Sequence, residues 1–316
     1  MKVFVAGATG AVGRHLVPQL VAAGHQVTAT TRSQGKLAGL RDAGAEPVLL
    51  DGLDGLAVGE AVARAEPEVI IHEMTAIPAN MDLKHFDRTF AATNQLRTKG
   101  LDHLLAAASA AGVRRFLAQS YAGWPSIRSG GPVKTEEDPL DPSPPAAQRE
   151  TFQAIKYLEQ AVTSAPLEGL VLRYGGLYGP GASDVMVTMV RRRRVPIIGA
   201  GTGVWSFLHI TDAAGATAAA VEQGDPGIYN VADDEPAPAA QWLPVLAAAA
   251  GAKPPMRVPV WLGRLAGGGA AVSMMTQIRG ASNAKAKREL GWKPAWPTWR
   301  EGFQDWVKGA GEVGGA

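Results

Sequence analysis

The chain contains no cysteine. Disulfides, thiolate metal ligands and a cysteine nucleophile are therefore excluded. It also lacks any stretch approaching the ~18 uninterrupted apolar residues of a membrane-spanning helix, and it has no strong charge of one sign. The net charge is +2, from 31 Lys and Arg against 29 Asp and Glu. Such a balance gives no global electrostatic case for nucleic acid or a membrane surface. The run Arg191 to Arg194 is a local exception. Four successive side chains on a helix point in different directions, so a solvated helix end is expected there. The apolar run after Met1 is too short for a secretory leader, and glycines follow at once, so a cytoplasmic protein is expected. His72-Glu73 does not extend to His-Glu-x-x-His, and no metal is expected.

What is present is an ordinary globular composition, 46% apolar and 19% charged over 316 residues. Val3 to Ala6 is a short buried-strand run ending in glycine. Ala11 to Ala23 then carries Val12, Leu16, Leu20 and Val21 on one helical face, with Gly24 placed as a stop. Further strands are predicted at 26–31, 47–50, 69–72, 116–119 and 169–173, with helical stretches between them that include a long one over 88–111 and another over 148–164. This alternation predicts an α/β fold: a Rossmann doubly wound parallel sheet with helices on both faces. Residues 124–147 read as a long loop. After Gly175 the alternation becomes irregular, predicting a small α/β C-terminal substrate lobe. The expected division is a nucleotide-binding domain over 1–175, its sheet completed by part of 203–232, a lobe over 176–310 and a frayed tail over 311–316.

Gly7-Ala8-Thr9-Gly10-Ala11-Val12-Gly13 joins the first strand to the first helix. The first glycine allows the tight turn, the second the approach of a pyrophosphate and the third the packing of helix on strand. Unpaired amides at the helix N-terminus then receive the anion. Gly7, Thr9, Gly10, Ala11, Val12 and Gly13 are thus the expected cofactor contacts. An acidic residue closing the second strand would select NAD. Here that strand ends in Thr31 and Arg32, and an arginine can pair with a 2′-phosphate. NADP(H) is expected over NAD(H).

With its glycine pattern, five strands and later motifs, the chain resembles the extended short-chain dehydrogenase/reductase family, the NAD(P)-dependent epimerase/dehydratase-like group. The motifs include Ile71-His72-Glu73-Met74-Thr75-Ala76, Asn94, Leu172-Arg173-Tyr174, Tyr178-Gly179-Pro180-Gly181, Phe207 to Asp212 and Leu290 to Pro294. The resemblance covers nearly the whole chain. It implies that Asp51 lies near the adenine, that Asn94 is structural, and that catalysis uses a Tyr-x-x-x-Lys pair with a serine or threonine. Residues at i and i+4 share a helix face. The lysine lowers the tyrosine pKa and holds the nicotinamide ribose, and the tyrosine exchanges a proton with substrate. Ser120 fits the serine and Lys156 the lysine, but Phe152 stands four residues before Lys156.

Phenylalanine has no proton to exchange, and three readings stay open. Another group replaces the tyrosine, with Tyr121 beside Ser120 the best placed and Tyr174, Tyr178, His72 and Glu73 behind it. Alternatively the scaffold runs a non-redox isomerisation, elimination or cyclisation, or it is a sensor that binds NADP(H) without turnover. The reading adopted here is an NADP(H)-dependent oxidoreductase acting on a carbonyl or hydroxyl of a small molecule, with Ser120, Tyr121 and Lys156 in the chemistry. Nucleotide-sugar enzymes of the family carry an arginine near the Phe207 segment; Gly203-Val204-Trp205-Ser206 has none. Trp205, Phe152 and Tyr178 are expected to line an apolar substrate site. His209 and Asp212 are expected to be structural, capping the next helix or fixing the lobe. By the same resemblance the two long helices imply a homodimer.

Overall fold

The computed structural model describes residues 1–78 and 81–312. A seven-stranded parallel sheet is built from β1 (Lys2–Ala6), β2 (Gln26–Thr31), β3 (Glu46–Leu49), β4 (Val69–His72), β5 (Arg115–Tyr121), β6 (Glu168–Tyr174) and β7 (Gly227–Val231). Their order across the sheet is β7-β6-β5-β4-β1-β2-β3. The chain starts in the middle, winds to one edge and returns to the other. This creates a switch point between β1 and β4, where doubly wound sheets bind ligands beyond the strands' carboxyl ends.

Period-two alternation sorts the strand side chains onto the two faces. Val3 and Val5 of β1 pack in one cluster with Leu16 and Leu20 of α1 (Gly13–Ala22) and Ala213 and Ala216 of α8 (Ile210–Ala220). Phe4 and Ala6 pack in another with Val58 and Val62 of α3 (Gly55–Ala65), Leu101 and Leu104 of α5 (Leu101–Ala110), and Leu158 and Val162 of α6 (Arg149–Thr163). Both faces are thereby covered, which is why β1 and β4 are almost wholly apolar. The expected long helix over 88–111 begins earlier and is not uniform. It comprises α4 (Phe86–Gln95), a π-helical turn over Leu96–Gly100 and then α5.

The C-terminal lobe has its own aromatic core: Tyr178, Phe207, Trp242, Trp299, Phe303 and Trp306 are buried together. His209 caps α8, its ring accepting from the Thr211 amide at 3.3 Å. Asp212 accepts from the amides of Ala295 and Trp296 at 2.8 and 2.9 Å, tying the last segment to the sheet. The four arginines 191–194 are exposed at the end of α7 (Asp184–Arg191). The tail expected over 311–316 begins as helix, since α12 runs from Trp299 to Glu312; residues 313–316 lie outside the described residues. No described helix is long and apolar enough to cross a membrane.

Candidate active site

The turn after β1 is shaped by two glycines that no other residue can replace. Gly7 has φ +96°, and a Cβ there would lie 2.7 Å from the Glu73 carbonyl carbon and oxygen. At Gly13 a Cβ would lie 2.5 Å from the carbonyl oxygens of Gly7 and Ala8, so only glycine lets α1 start this close to the loop. Gly10 is less constrained, its amide donating to the Gly7 carbonyl at 3.0 Å. The loop is tethered to β2: the Gly7 amide donates to Thr30 Oγ1 at 3.2 Å, and the Thr9 and Thr31 hydroxyls meet at 2.9 Å.

Among the described residues no acceptor meets the amides of Thr9, Ala11 and Val12. The first turn of α1 holds no acidic side chain. Free amides at a helix N-terminus fit a dinucleotide pyrophosphate. Arg32 is exposed just past β2, and Asp51 is exposed just past β3 with its carboxylate accepting from the Leu53 amide at 3.1 Å. Both lie at the strand ends where the adenosine half belongs.

At the other side of the switch point the structure separates residues that are neighbours in sequence. Ser120 shares a face of β5 with Phe116 and Ala118 and points at α6, where its hydroxyl donates to Glu159 Oε1 at 2.8 Å. Arg173 on β6 holds the same carboxylate with two bonds, of 2.7 and 2.6 Å. All three side chains are buried. The serine expected to orient substrate is thus committed to a buried ion pair.

Tyr121, in contrast, is half-buried at the strand end. Arg97 lies over its ring, 4.7 Å from the centroid, and Trp124 packs 5.5 Å away. Phe152 is buried on α6 and edge-on to Trp124 at 5.2 Å, with Lys156 exposed one turn later. Phe86 and Phe90 of α4 stack at 4.4 Å beside Trp124 and extend the aromatic wall.

Of the residues expected against substrate, Tyr178 is packed into the lobe core and Trp205 is half-buried at that core's margin. Tyr178 is fully buried in the lobe core, edge-on to Phe207 and Phe303, and burial holds its phenol well above the ordinary range. Trp205 stacks on Phe207 and donates its indole N–H to the Met274 carbonyl at 2.9 Å. Tyr178 is one of the six rings of the lobe's core, where it buries more area than in a wall open to solvent.

Two residues of this region, Asp87 and Arg14, gave no sequence signal, unlike Asn94, His72 and Glu73. Asp87 on α4 caps α6 from outside, accepting from the amides of Glu150 and Thr151 and from the Thr151 hydroxyl at 2.7–3.1 Å. Asn94 donates to the same hydroxyl at 3.1 Å, which gives the asparagine its structural role. Arg14 of α1 reaches the Pro180 carbonyl at 2.6 Å and so ties the phosphate helix to the lobe. Glu73, beneath the glycine loop, accepts from Tyr174 at 2.7 Å, and Tyr174 also meets the Thr217 hydroxyl. Burial raises the Glu73 carboxyl to about 8. His72 is neutral, lowered to about 4 by burial, and its Nε2 meets the Leu96 carbonyl at 3.2 Å.

The arrangement has known counterparts. The pattern of the NAD dependent epimerase/dehydratase family matches residues 3–232. The 3-diazoavenalumate denitrifying reductase of a Streptomyces species is 45% identical over 313 residues, 96% of this chain and 99% of that one. The 2-alkyl-3-oxoalkanoate reductase of Stenotrophomonas maltophilia is 26% identical over 270 residues, 80% of this chain and 76% of that one. Among solved structures, the UDP-glucose 4-epimerase of Thermotoga maritima with UDP-glucose superposes with a TM-score of 0.76 at 23% identity, covering 99% of each chain. Human epimerase family protein SDR39U1 with NADPH gives 0.74 at 19%, covering 98% and 99%. The chain belongs to the NAD dependent epimerase/dehydratase family and is an NAD(P)-dependent enzyme of oxidoreductase or epimerase type.

Proposed function

We propose that the enzyme is an NADP(H)-dependent reductase of a small aromatic molecule that is not a nucleotide sugar, and that its acceptor needs no proton from the position of Phe152. The observation that carries this reading is the buried Phe152 ring against Trp124, one turn before Lys156. Phenylalanine cannot donate a proton. A carbonyl gains a proton on oxygen as it gains hydride on carbon, and it is poorly served there. Bound on the glycine loop, a reduced nicotinamide supplies hydride; hydride delivered to an arenediazonium carbon forms C–H, breaks C–N and releases dinitrogen, with no proton consumed. The Streptomyces relative, named for reductive loss of nitrogen from a diazo acid, supports that acceptor class.

In this reading the free amides of Thr9, Ala11 and Val12 hold the pyrophosphate, Arg32 pairs with the 2′-phosphate and Lys156 holds the nicotinamide ribose. Trp124, Tyr121 and Phe152 orient the substrate ring and exclude water. Cytoplasmic location and a homodimer through α5 and α6 complete the proposal, the latter tested by sedimentation equilibrium.

A second reading is carbonyl reduction with Tyr121 as proton donor. It is favoured by Tyr121, half-buried at the end of β5 with Arg97 over its ring and Trp124 beside it. Anaerobic turnover of a diazotised aminocinnamate with NADPH deuterated at both C4 positions decides between them. Dinitrogen in the headspace and deuterium on the ring carbon are expected. Turnover of ketones alone, without dinitrogen and abolished by Tyr121→Phe, would replace the first reading by the second.

A further inference from the structure

We infer that Arg97 anchors a carboxylate of the substrate, so that this site takes aryl carboxylates; the inference rests on the reading of this sheet edge as the substrate site. Arg97 lies in the π-helical turn between α4 and α5. Such wide turns insert a residue into a helix and recur at functional sites. Here the turn is pinned to the end of β4 by the His72 ring on the Leu96 carbonyl, 3.2 Å away. The insertion carries the Arg97 guanidinium over the Tyr121 ring, between β4, β5 and α6.

Arg97 is 3% exposed, its only hydrogen bond among the described residues is a 3.5 Å reach of Nη1 to Asn94 Oδ1, and its other nitrogens keep an accessible edge open to a ligand. No carboxylate pairs with it, because those of this region are committed. Asp87 caps α6, Glu159 holds Arg173 and Ser120, and Glu73 accepts from Tyr174 with its carboxyl raised to about 8 by burial. A guanidinium with five donors, one long bond and little contact with water is completed by an anion. The His72 imidazole beside it is neutral and offers no charge. What adjoins it is aromatic: Tyr121 beneath, then Trp124, Phe152, Phe86 and Phe90. Cation and aromatic wall side by side match one ligand chemistry, a planar aryl group bearing a carboxylate, which arginine takes with two parallel bonds.

Titration of the NADP⁺-saturated enzyme with cinnamate and with cinnamamide, followed by calorimetry, tests this without turnover. The two probes share shape and differ in the charge. Wild type is expected to bind the acid about tenfold to a hundredfold more tightly than the amide, the range for a charge-assisted pair. Arg97→Met is expected to bring the acid down to the affinity of the amide, Arg97→Lys to retain part of the difference, and NADP⁺ affinity to stay unchanged in both. Equal binding of acid and amide by wild type, no cinnamate binding at all, or a preference that survives in Arg97→Met overturns the assignment. So does an equal loss of NADP⁺ and cinnamate affinity, which would move the guanidinium to the cofactor. Failure of the diazonium reading leaves these binding results intact, so the two are separable.

Discussion

Replacing Ser120 by alanine removes the hydroxyl that donates to Glu159 at 2.8 Å and leaves both Arg173 bonds in place. A hydrogen bond to a charged group contributes about 1.5–3 kcal/mol. Glu159 keeps two charge-assisted bonds and the space left is one oxygen atom, so the lower part of that range applies, about 1.5–2 kcal/mol. For a chain of 316 residues that lowers Tm by about 2–3 °C. Glu159→Gln is a different perturbation. It strips the charge from a buried pair and leaves the Arg173 guanidinium uncompensated, at a cost of about 3–5 kcal/mol. Thermal unfolding followed by circular dichroism, with kcat measured on the same samples, checks both. The expected pattern for Ser120→Ala is a lower Tm with kcat within about threefold of wild type. A serine that orients the reacting group behaves in the opposite way, since loss of one such donor costs about a hundredfold or more in kcat. An unchanged Tm with that loss of kcat would refute the structural reading of Ser120.

Gly13→Ala places a Cβ 2.5 Å from two backbone oxygens; α1 must shift, and NADP⁺ binding, read by fluorescence titration, is expected to fall by at least about tenfold. Arg32→Glu sets a carboxylate at the end of β2 and is expected to raise Kd for NADP⁺ by about tenfold or more while leaving NAD⁺ binding unchanged or improved; equal effects on both would remove Arg32 from the 2′-phosphate. Glu73 is pushed up to about 8 from 4.5 by burial, so the folded state keeps a proton the unfolded chain has released. Its contribution is therefore complete below about pH 4.5 and is lost as pH rises towards 8. Urea unfolding at pH 5 and pH 8.5 should find that Glu73→Gln gains on the order of 2–4 kcal/mol relative to wild type across that interval. Parallel profiles for the two proteins would show that Glu73 does not titrate in this range.

The cofactor half of the site was legible because its determinants are local. Gly7 to Gly13 lie within one turn, and the strand and helix that frame them announce themselves by period two and period 3.6. The proposed substrate half draws on α4, β5, α6 and a π turn, and each contribution fails to be legible for its own reason. Residues 88–111 keep a helical pattern through the π segment, so the one-residue insertion that swings Arg97 over Tyr121 leaves no trace in periodicity. Asp87 caps a helix that begins 62 positions away from it in the chain. Tyr178 and Trp205 were placed against substrate because aromatic residues suit both a ligand wall and a core; only the lobe's other rings decide between these uses. Ser120 is the instructive case, because part of its answer was available. Strand parity already put it on the side of Phe116 and Ala118, facing a helix, and put Tyr121 on the other. What parity could not supply was the partner, 39 residues on at Glu159, itself held by Arg173. A serine next to a tyrosine at a strand end is therefore two different residues physically. The one whose hydroxyl is already bound by a buried carboxylate stabilises the packing of α6 on the sheet, and the one with a cation over its ring is the one proposed to meet the ligand.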